Sequence, residues 1–265
     1  MNSAFDSVAK EYDATFTLTK IGKAQREIVW AYLNKILQGK EGLKILELNC
    51  GTGEDALWFA KNGHKVLATD VSEKMLEITE KKAAENNLSD RIKTNKTDLT
   101  KTEDFVSNET FDLVFSNFGG INCIPFKDLY NLPAFLSKLI NPSGRLIMVI
   151  MPTFCMWEIF YFTLRFNFKK AFRRSSTKRV KVKLNGNEML IDYYTPILVN
   201  KIFRKEFTQI ALKPVGFFIP PSYLEKFFSS KHKTFNLIKK LESVIRNWST
   251  LTNYSDHFLI DFEKK

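Results

Sequence analysis

A chain of 265 residues, 44% hydrophobic and 26% charged, is long enough to bury a substantial core and too well mixed for wholesale disorder. Its net charge of +11 fits an anionic partner such as nucleic acid, a lipid headgroup or an acidic metabolite, or simply a basic, well-solvated surface. Cys50, Cys123 and Cys155 are scattered without C-x-x-C spacing, which points to neither a disulfide framework nor a metal site and fits a reducing cytoplasm. "MNSAFDSVAKEYD" lacks the basic and then apolar pattern of a signal peptide, and the tract Leu146–Trp157 is interrupted by Pro152 and too short to span a bilayer. A soluble, cytoplasmic protein is therefore expected, and its 24 Phe imply a thick aromatic core or a large apolar pocket.

The first forty residues read as helix, with Ile28, Tyr32 and Ile36 on one face of "AQREIVWAYLNKIL". "LKILEL" then predicts a buried strand, "EDALWFAKNG" a short helix closed by Gly63, and "KVLATD" a second strand. "SEKMLEITEKKAAENN" follows as a helix capped by Ser72. "RIKTNKTD" is a weaker strand, while "FDLVFSN" and "GRLIMVIM" are strong ones separated by a helix around "LYNLPAFLSKLI". Strands spaced by helices imply right-handed crossovers and a parallel sheet. After Pro152 the pattern changes. "FCMWEIFYFTLRFNFKKAFRR" is aromatic and then basic, "VKVKLNGNEMLIDYY" reads as a hairpin turning at Asn185-Gly186, and "PILVNKIFRKEF" returns to helix. "TQIALKPVGFF" is a late strand, Pro221–Trp248 one or two amphipathic helices, and "HFLIDFEKK" a final strand.

The stretch with most chemical content is "ILELNCGTGEDAL". Glu47 ends the first strand, and Asn49, Gly51 and Gly53 follow it, so the backbone can approach a ligand and the next helix offers free N–H groups. Gly51, Gly53 and Ala56 also satisfy G-x-G-x-x-A, with Asp70 closing the next strand, as in a nicotinamide site. Glu47 argues against that reading, because its carboxylate would face a pyrophosphate at short range, whereas it is well placed to meet a cation.

At this point the chain resembles the class I S-adenosylmethionine-dependent methyltransferases, in particular those acting on small molecules. "ELNCGTG" is similar to their acid-G-x-G-x-G motif with Asn49 at the first glycine, a residue that tolerates left-handed backbone. "LATDVS" resembles the second motif and "KTDLT" the third, while "FDLVFSNFGGIN" is similar to the fourth, whose strand end lies beside the sulfonium. The resemblance runs from about Ala4 to Met151. It implies a Rossmann-like sheet of seven strands, mostly parallel with an antiparallel C-terminal strand, with helices on both faces and an inserted aromatic and basic helix and hairpin. S-adenosylmethionine is the implied cofactor, with Asp70 on its ribose hydroxyls, Asp98 facing the adenine amino group and Leu99 its ring. Glu47, Asn49, Gly51, Gly53, Val71, Met75, Asn117 and Phe118 complete the implied cofactor set. "FDSVAKEYD" resembles an N-terminal helix that closes over the cofactor, which would put Tyr12 over the methionine end and Arg26 on its carboxylate. A single domain is expected, with a helical cap (1–40), a cofactor-binding core (41–151), an acceptor-binding elaboration (152–255) and the final strand (256–265).

In an open parallel sheet ligands bind beyond the carboxyl ends of the strands, so the acceptor should meet the loops "SNFGGINCI" and "MPTFCMWEIF". Asn122, Phe154 and Trp157 are candidate acceptor residues there, alongside Phe118. A final strand antiparallel to the others begins at that same edge, where His257 becomes a candidate general base oriented by Asp256. From Arg165 to Lys183 there are nine Lys or Arg and no acid, preceded by an aromatic helix stripe of Trp157, Phe160, Tyr161, Leu164 and Phe168. That segment reads as a lid over a greasy acceptor, as peripheral membrane contact through 157–183, or as a surface for single-stranded nucleic acid, in that order of preference. The expected activity is methyl transfer to a small or lipid-like hydrophobic acceptor, with oxygen as the first choice of atom. The alternatives are a nicotinamide oxidoreductase, or a membrane- or RNA-binding module that retains a nucleoside pocket.

Overall fold

Nine strands and the helices between them are seen in the computed structural model, which describes residues 4–105, 109–176, 178–184 and 187–265. The strands are β1 (Lys44–Leu48), β2 (Lys65–Asp70), β3 (Ile92–Lys96), β4 (Phe111–Ser116), β5 (Ile140–Ile150), β6 (Val180–Leu184), β7 (Asn187–Ile191), β8 (Phe207–Val215) and β9 (His257–Lys264). Seven of them form one sheet in the order β3-β2-β1-β4-β5-β9-β8. β1 to β5 pair in parallel, and β9 runs antiparallel to both β5 and β8. The order reverses between β1 and β4, which opens a crevice at the carboxyl ends of these two strands.

Alternation along the strands divides the core between two faces. Leu46, Val114, Leu146, Met148 and Ile260 point to one layer, which Leu132–Leu139 and Pro196–Phe203 cover as helices. Ile45, Leu113, Phe115, Ile147 and Leu259 point to the other, beneath the helices Lys20–Leu37, Glu54–Lys61 and Glu73–Glu85. Runs apolar on both faces are what a doubly covered parallel sheet requires.

Three expectations change. The N-terminal forty residues are not one helix: short turns span Ala4–Ser7, Ala9–Tyr12 and Asp13–Thr17, and a long helix starts at Lys20, capped by Thr19 Oγ1, which accepts from Gly22 N at 3.0 Å. The aromatic and basic segment is not one helix either. It breaks into Met156–Thr163 and Phe168–Ala171, with Phe166 between them in the left-handed region at φ 56°. Trp157 and Tyr161 pack on the cluster of Ile21 and Phe228, while Phe160, Leu164 and Phe168 stay exposed, so the stripe is split between core and surface. "PILVNKIFRKEF" stops as helix at Phe203, and Phe207 begins β8. β6 and β7 pair antiparallel, and the hairpin turn expected at Asn185-Gly186 lies outside the described residues.

Candidate active site

β1 ends in a turn that only unusual backbone can make. Asn49, Gly51 and Gly53 all have positive φ, at 55°, 54° and 76°. A side chain at Gly53 would also collide with Thr79, whose Cγ2 lies 2.4 Å from an ideal Cβ. Gly120, in the loop after β4, has no room for one because Asn49 Cβ would be 2.5 Å away. The backbone of the loop after β4 thus packs directly against the Asn49 side chain of the loop after β1.

Glu47 stands at the base of this turn, 2% exposed, and its Oε2 has no hydrogen-bond partner. Burial, reinforced by the nearby Asp55, holds its carboxyl well above the usual range. Asn49 Oδ1 and Arg26 Nε are likewise buried and unpartnered. Buried polar atoms are nearly always satisfied, and these three exceptions lie at the glycine turn and beside the helix that follows it. Asp70, at the end of β2, accepts from Gly51 N at 3.0 Å and from Ser72 N at 2.8 Å, and its side chain links the two turns. Val71 follows it half-buried, and Met75 is buried under Val8 and Ala9.

The N-terminal turns lie across this crevice. Tyr12 sits beside Gly51, with its ring carbon Cε1 3.9 Å from where a side chain would begin, and burial pushes its phenol up to about 12. Phe16 meets Tyr12 at 5.7 Å and Phe118 edge-on at 5.3 Å between ring centroids. Polar contacts fix these turns in place: Thr52 donates to Asp13 at 2.6 Å, Lys82 pairs with Asp13 at 2.6 Å, and Ser72 Oγ bonds Asp6. None of these three contacts is marked by a local sequence pattern, although Ser72 is legible as a helix cap.

Arg26 already has a carboxylate partner within the chain. It pairs with Asp55, which also accepts from Trp30 Nε1 at 2.7 Å and Asn117 Nδ2 at 2.9 Å. The guanidinium lies 5.0 Å over the ring of Phe118, a residue held at φ 45°. Asp98 and Leu99 follow β3. Asp98 caps its own loop, accepting from Thr100 N at 2.9 Å and Thr100 Oγ1 at 2.7 Å. Leu99 is only 6% exposed and packs in the hydrophobic core.

At the acceptor side, the register of β9 against β5 and β8 puts His257 at the same edge as the ends of β4 and β5. Its ring packs against Phe118 at 5.4 Å. Nδ1 is 3.3 Å from Asp256 Oδ2 but out of line for a hydrogen bond. Asp256 has stronger partners: Gln25 Nε2 donates at 2.9 Å and Arg174 at 2.6 Å. Burial alone would raise the Asp256 carboxyl, yet His257 and Arg174 hold it well below the usual carboxylate range. Arg174 also reaches Glu158 at 2.9 Å, and Arg173 reaches it at 2.6 Å. Part of the basic run therefore turns inward to neutralise buried acids.

Asn122 is fully buried, with its amide nitrogen donating to Met151 O and Asp192 O and its oxygen accepting from Met151 N. It clasps loops and does not face an acceptor. Trp157 Nε1 donates to Phe218 O at 3.0 Å, which makes the residue a packing anchor, whereas Phe154 is 40% exposed.

The sheet order, the reversed strand and the glycine turn define the fold of the class I S-adenosylmethionine-dependent methyltransferases. Residues 45–144 match the family described as methyltransferase domain, so the chain carries that domain over the segment that builds the crevice. It is 31% identical over 150 residues to a demethylmenaquinone methyltransferase of Clavibacter sepedonicus, covering 56% of each chain. A tRNA 5-carboxymethoxyuridine methyltransferase of Escherichia coli K12 is 28% identical over 90 residues, 33% of this chain and 34% of the relative. The chain thus spans about half of the first relative's length and a third of the second's. Among solved structures the DhpI-SAH complex superposes with a TM-score of 0.60 at 15% identity, over 98% of this chain and 93% of that one, a likeness of fold.

Proposed function

We propose that the protein transfers a methyl group from S-adenosylmethionine to a small or lipid-like hydrophobic acceptor, on oxygen. The observation that carries this is the group of buried, unpartnered atoms at the glycine turn, Glu47 Oε2, Asn49 Oδ1 and Arg26 Nε, next to Asp70 at the end of β2. Glu47 suits the ligand's positive end, Asp70 its ribose, and Tyr12 with Phe118 the wall beside the reacting carbon. A neighbouring fold is seen as an SAH complex, which supports the same cofactor. When bound, the cofactor supplies a methyl carbon on a cationic sulfur, already a good leaving group, so alignment is the main demand on the protein. With Nδ1 turned toward Asp256, the Nε2 of His257 is left to accept the acceptor's hydroxyl proton as the methyl–oxygen bond forms. Phe118, packed on the ring at 5.4 Å, and Asp256, 3.3 Å from Nδ1, act as positioning residues for it.

Residues 1–40 act as the cap and 152–255 as the acceptor-binding part in this reading. The exposed face of Phe160, Leu164, Phe166, Phe168 and Phe172, with Lys169 and Lys170 beside it, supports peripheral membrane contact as a route for a lipid-like acceptor. Similarity to a demethylmenaquinone methyltransferase supports an acceptor of that kind. Among the described residues no helix is long and apolar enough to cross a membrane.

Calorimetric titration with S-adenosylmethionine, S-adenosylhomocysteine and NADH tests the cofactor, and uptake of the first two alone is expected. Failure to bind either at millimolar concentration overturns the reading. An alkylated hydroquinone in detergent micelles, compared with tRNA, tests the acceptor, with the methylated atom read by NMR; methylation of tRNA alone would replace the lipid-like acceptor by a nucleic acid. His257→Ala should leave cofactor affinity unchanged and slow turnover by about 10²–10⁴-fold, the range of a general base. Equal turnover would leave His257 with a packing role only.

A further inference from the structure

A second cavity of about 410 Å³ lies away from the glycine turn, between the helix Lys20–Leu37, β8 and the helix His232–Ile245. Its apolar wall is made by Ile28, Ala31, Val215, Ile219 and Leu259. Four cations line it as well: Lys35, Lys213, Lys239 and Arg246.

The acids that could neutralise these cations are already engaged. Glu27 pairs with Lys239 at 2.6 Å. Glu242 is buried, and its two oxygens accept four consecutive backbone N–H groups, from Gly216 to Ile219, at 2.6–3.2 Å. Asp261, behind Tyr32, is held by Arg145. Lys213 Nζ donates to the neutral Asn247 Oδ1 at 2.6 Å, and no ion pair forms to Lys35, Lys213 or Arg246 among the described residues. Burial and then the charges of Lys35 and Arg246 pull the Lys213 ammonium below its usual range, a repulsion that a bound anion would relieve.

We infer that this cavity binds an amphiphilic anion, a phosphate or carboxylate head held by Lys35, Lys213 and Arg246 with an apolar body against Ile28, Val215 and Leu259. The site is independent of the proposed methyl transfer. Helix Lys20–Leu37 has Ala24, Glu27, Ile28, Ala31, Tyr32 and Lys35 at helical spacing along this cavity, while Gln25 and Arg26 face Asp256 and Asp55. One helix therefore serves both places through different faces.

The test titrates the full chain with octyl phosphate by calorimetry, with inorganic phosphate and octanol as controls. Octyl phosphate should bind at least about tenfold more tightly than either, since only it uses both the charge and the apolar wall. The double variant Lys213→Met/Arg246→Met should lose most of that affinity while keeping its thermal unfolding curve and its affinity for S-adenosylmethionine. Ala31→Trp, which fills the apolar part from an exposed helix position, should lose it as well. Vesicles containing phosphatidic acid separate the sources: binding that the double variant abolishes means a headgroup presented by a bilayer, and binding of octyl phosphate alone means a free metabolite. Octyl phosphate binding that matches inorganic phosphate, or that survives both variants, overturns the proposal.

Discussion

Asp70→Ala is expected to weaken S-adenosylmethionine binding by about 2–3 kcal/mol, roughly 30- to 160-fold, the scale of charge-assisted hydrogen bonds lost from a buried ligand. The carboxylate ends β2 and is 7% exposed, so the ribose hydroxyls it would receive have little water to turn to instead. Its loss also frees Gly51 N and Ser72 N, which it ties together at 3.0 Å and 2.8 Å. Thermal unfolding should therefore fall along with affinity. Adenosine and methionine as separate probes divide the two effects, because only adenosine carries the ribose: its affinity should drop and that of methionine should change less. Burial raises the Asp70 carboxyl above its ordinary value, with the N–H groups of Ser72 and Gly51 opposing. The ionised form is the better acceptor, so affinity should decline on acidification at a higher pH than an ordinary aspartate would set. Calorimetry across a pH series reads that directly, and an Asp70→Ala protein that binds as well as the parent removes this residue from the ribose.

Much of this crevice could be read before any coordinates. The strands β1, β2, β4 and β5 are short apolar runs bounded by turn residues, and local pattern suffices to place them. Asn49, Gly51 and Gly53 were legible for the same reason, because positive φ narrows the choice of residue to very few. Asp55 was not. Two residues after Gly53 it looks like an acid at a helix start, where the free N–H groups already explain it, and nothing local shows that Arg26, Trp30 and Asn117 converge on it. The nicotinamide pattern of Gly51, Gly53 and Ala56 shows the converse problem: a turn fixed by backbone geometry is shared by ligands that differ in charge. Glu47 separates them only through its electrostatics. The aromatic and basic segment failed as one helix because periodicity counts only which side chains share a face. It cannot anticipate that Arg173 and Arg174 are drawn inward to Glu158, fifteen and sixteen residues back.

The same blindness to distant partners makes Arg174 the most consequential residue that the sequence left unmarked. Arg174→Met is expected to destabilise the fold by about 3 kcal/mol, since it keeps the side-chain volume and leaves two buried acids short of a cation. Arg174, Glu158 and Asp256 are 4%, 1% and 4% exposed, so water cannot take the guanidinium's place. In the native chain burial raises both carboxyls, but the arginines win for Glu158, and His257 with Arg174 wins for Asp256; both end below the ordinary carboxylate range. A carboxyl with a depressed folded value contributes stability above its unfolded value and loses it as pH falls toward the folded one, because the unfolded chain then binds more protons. The parent should accordingly weaken in acid. In Arg174→Met burial gains the upper hand, so protonation relieves the fold, and the difference from the parent should be greatest at neutral pH and shrink below about pH 4. Urea unfolding at both pH values measures it. Adding Glu158→Gln and Asp256→Asn to Arg174→Met should recover part of the loss at neutral pH, since a neutral amide needs no cation. A single variant as stable as the parent at neutral pH would mean that Arg173, Gln25 and His257 already suffice to hold the two acids.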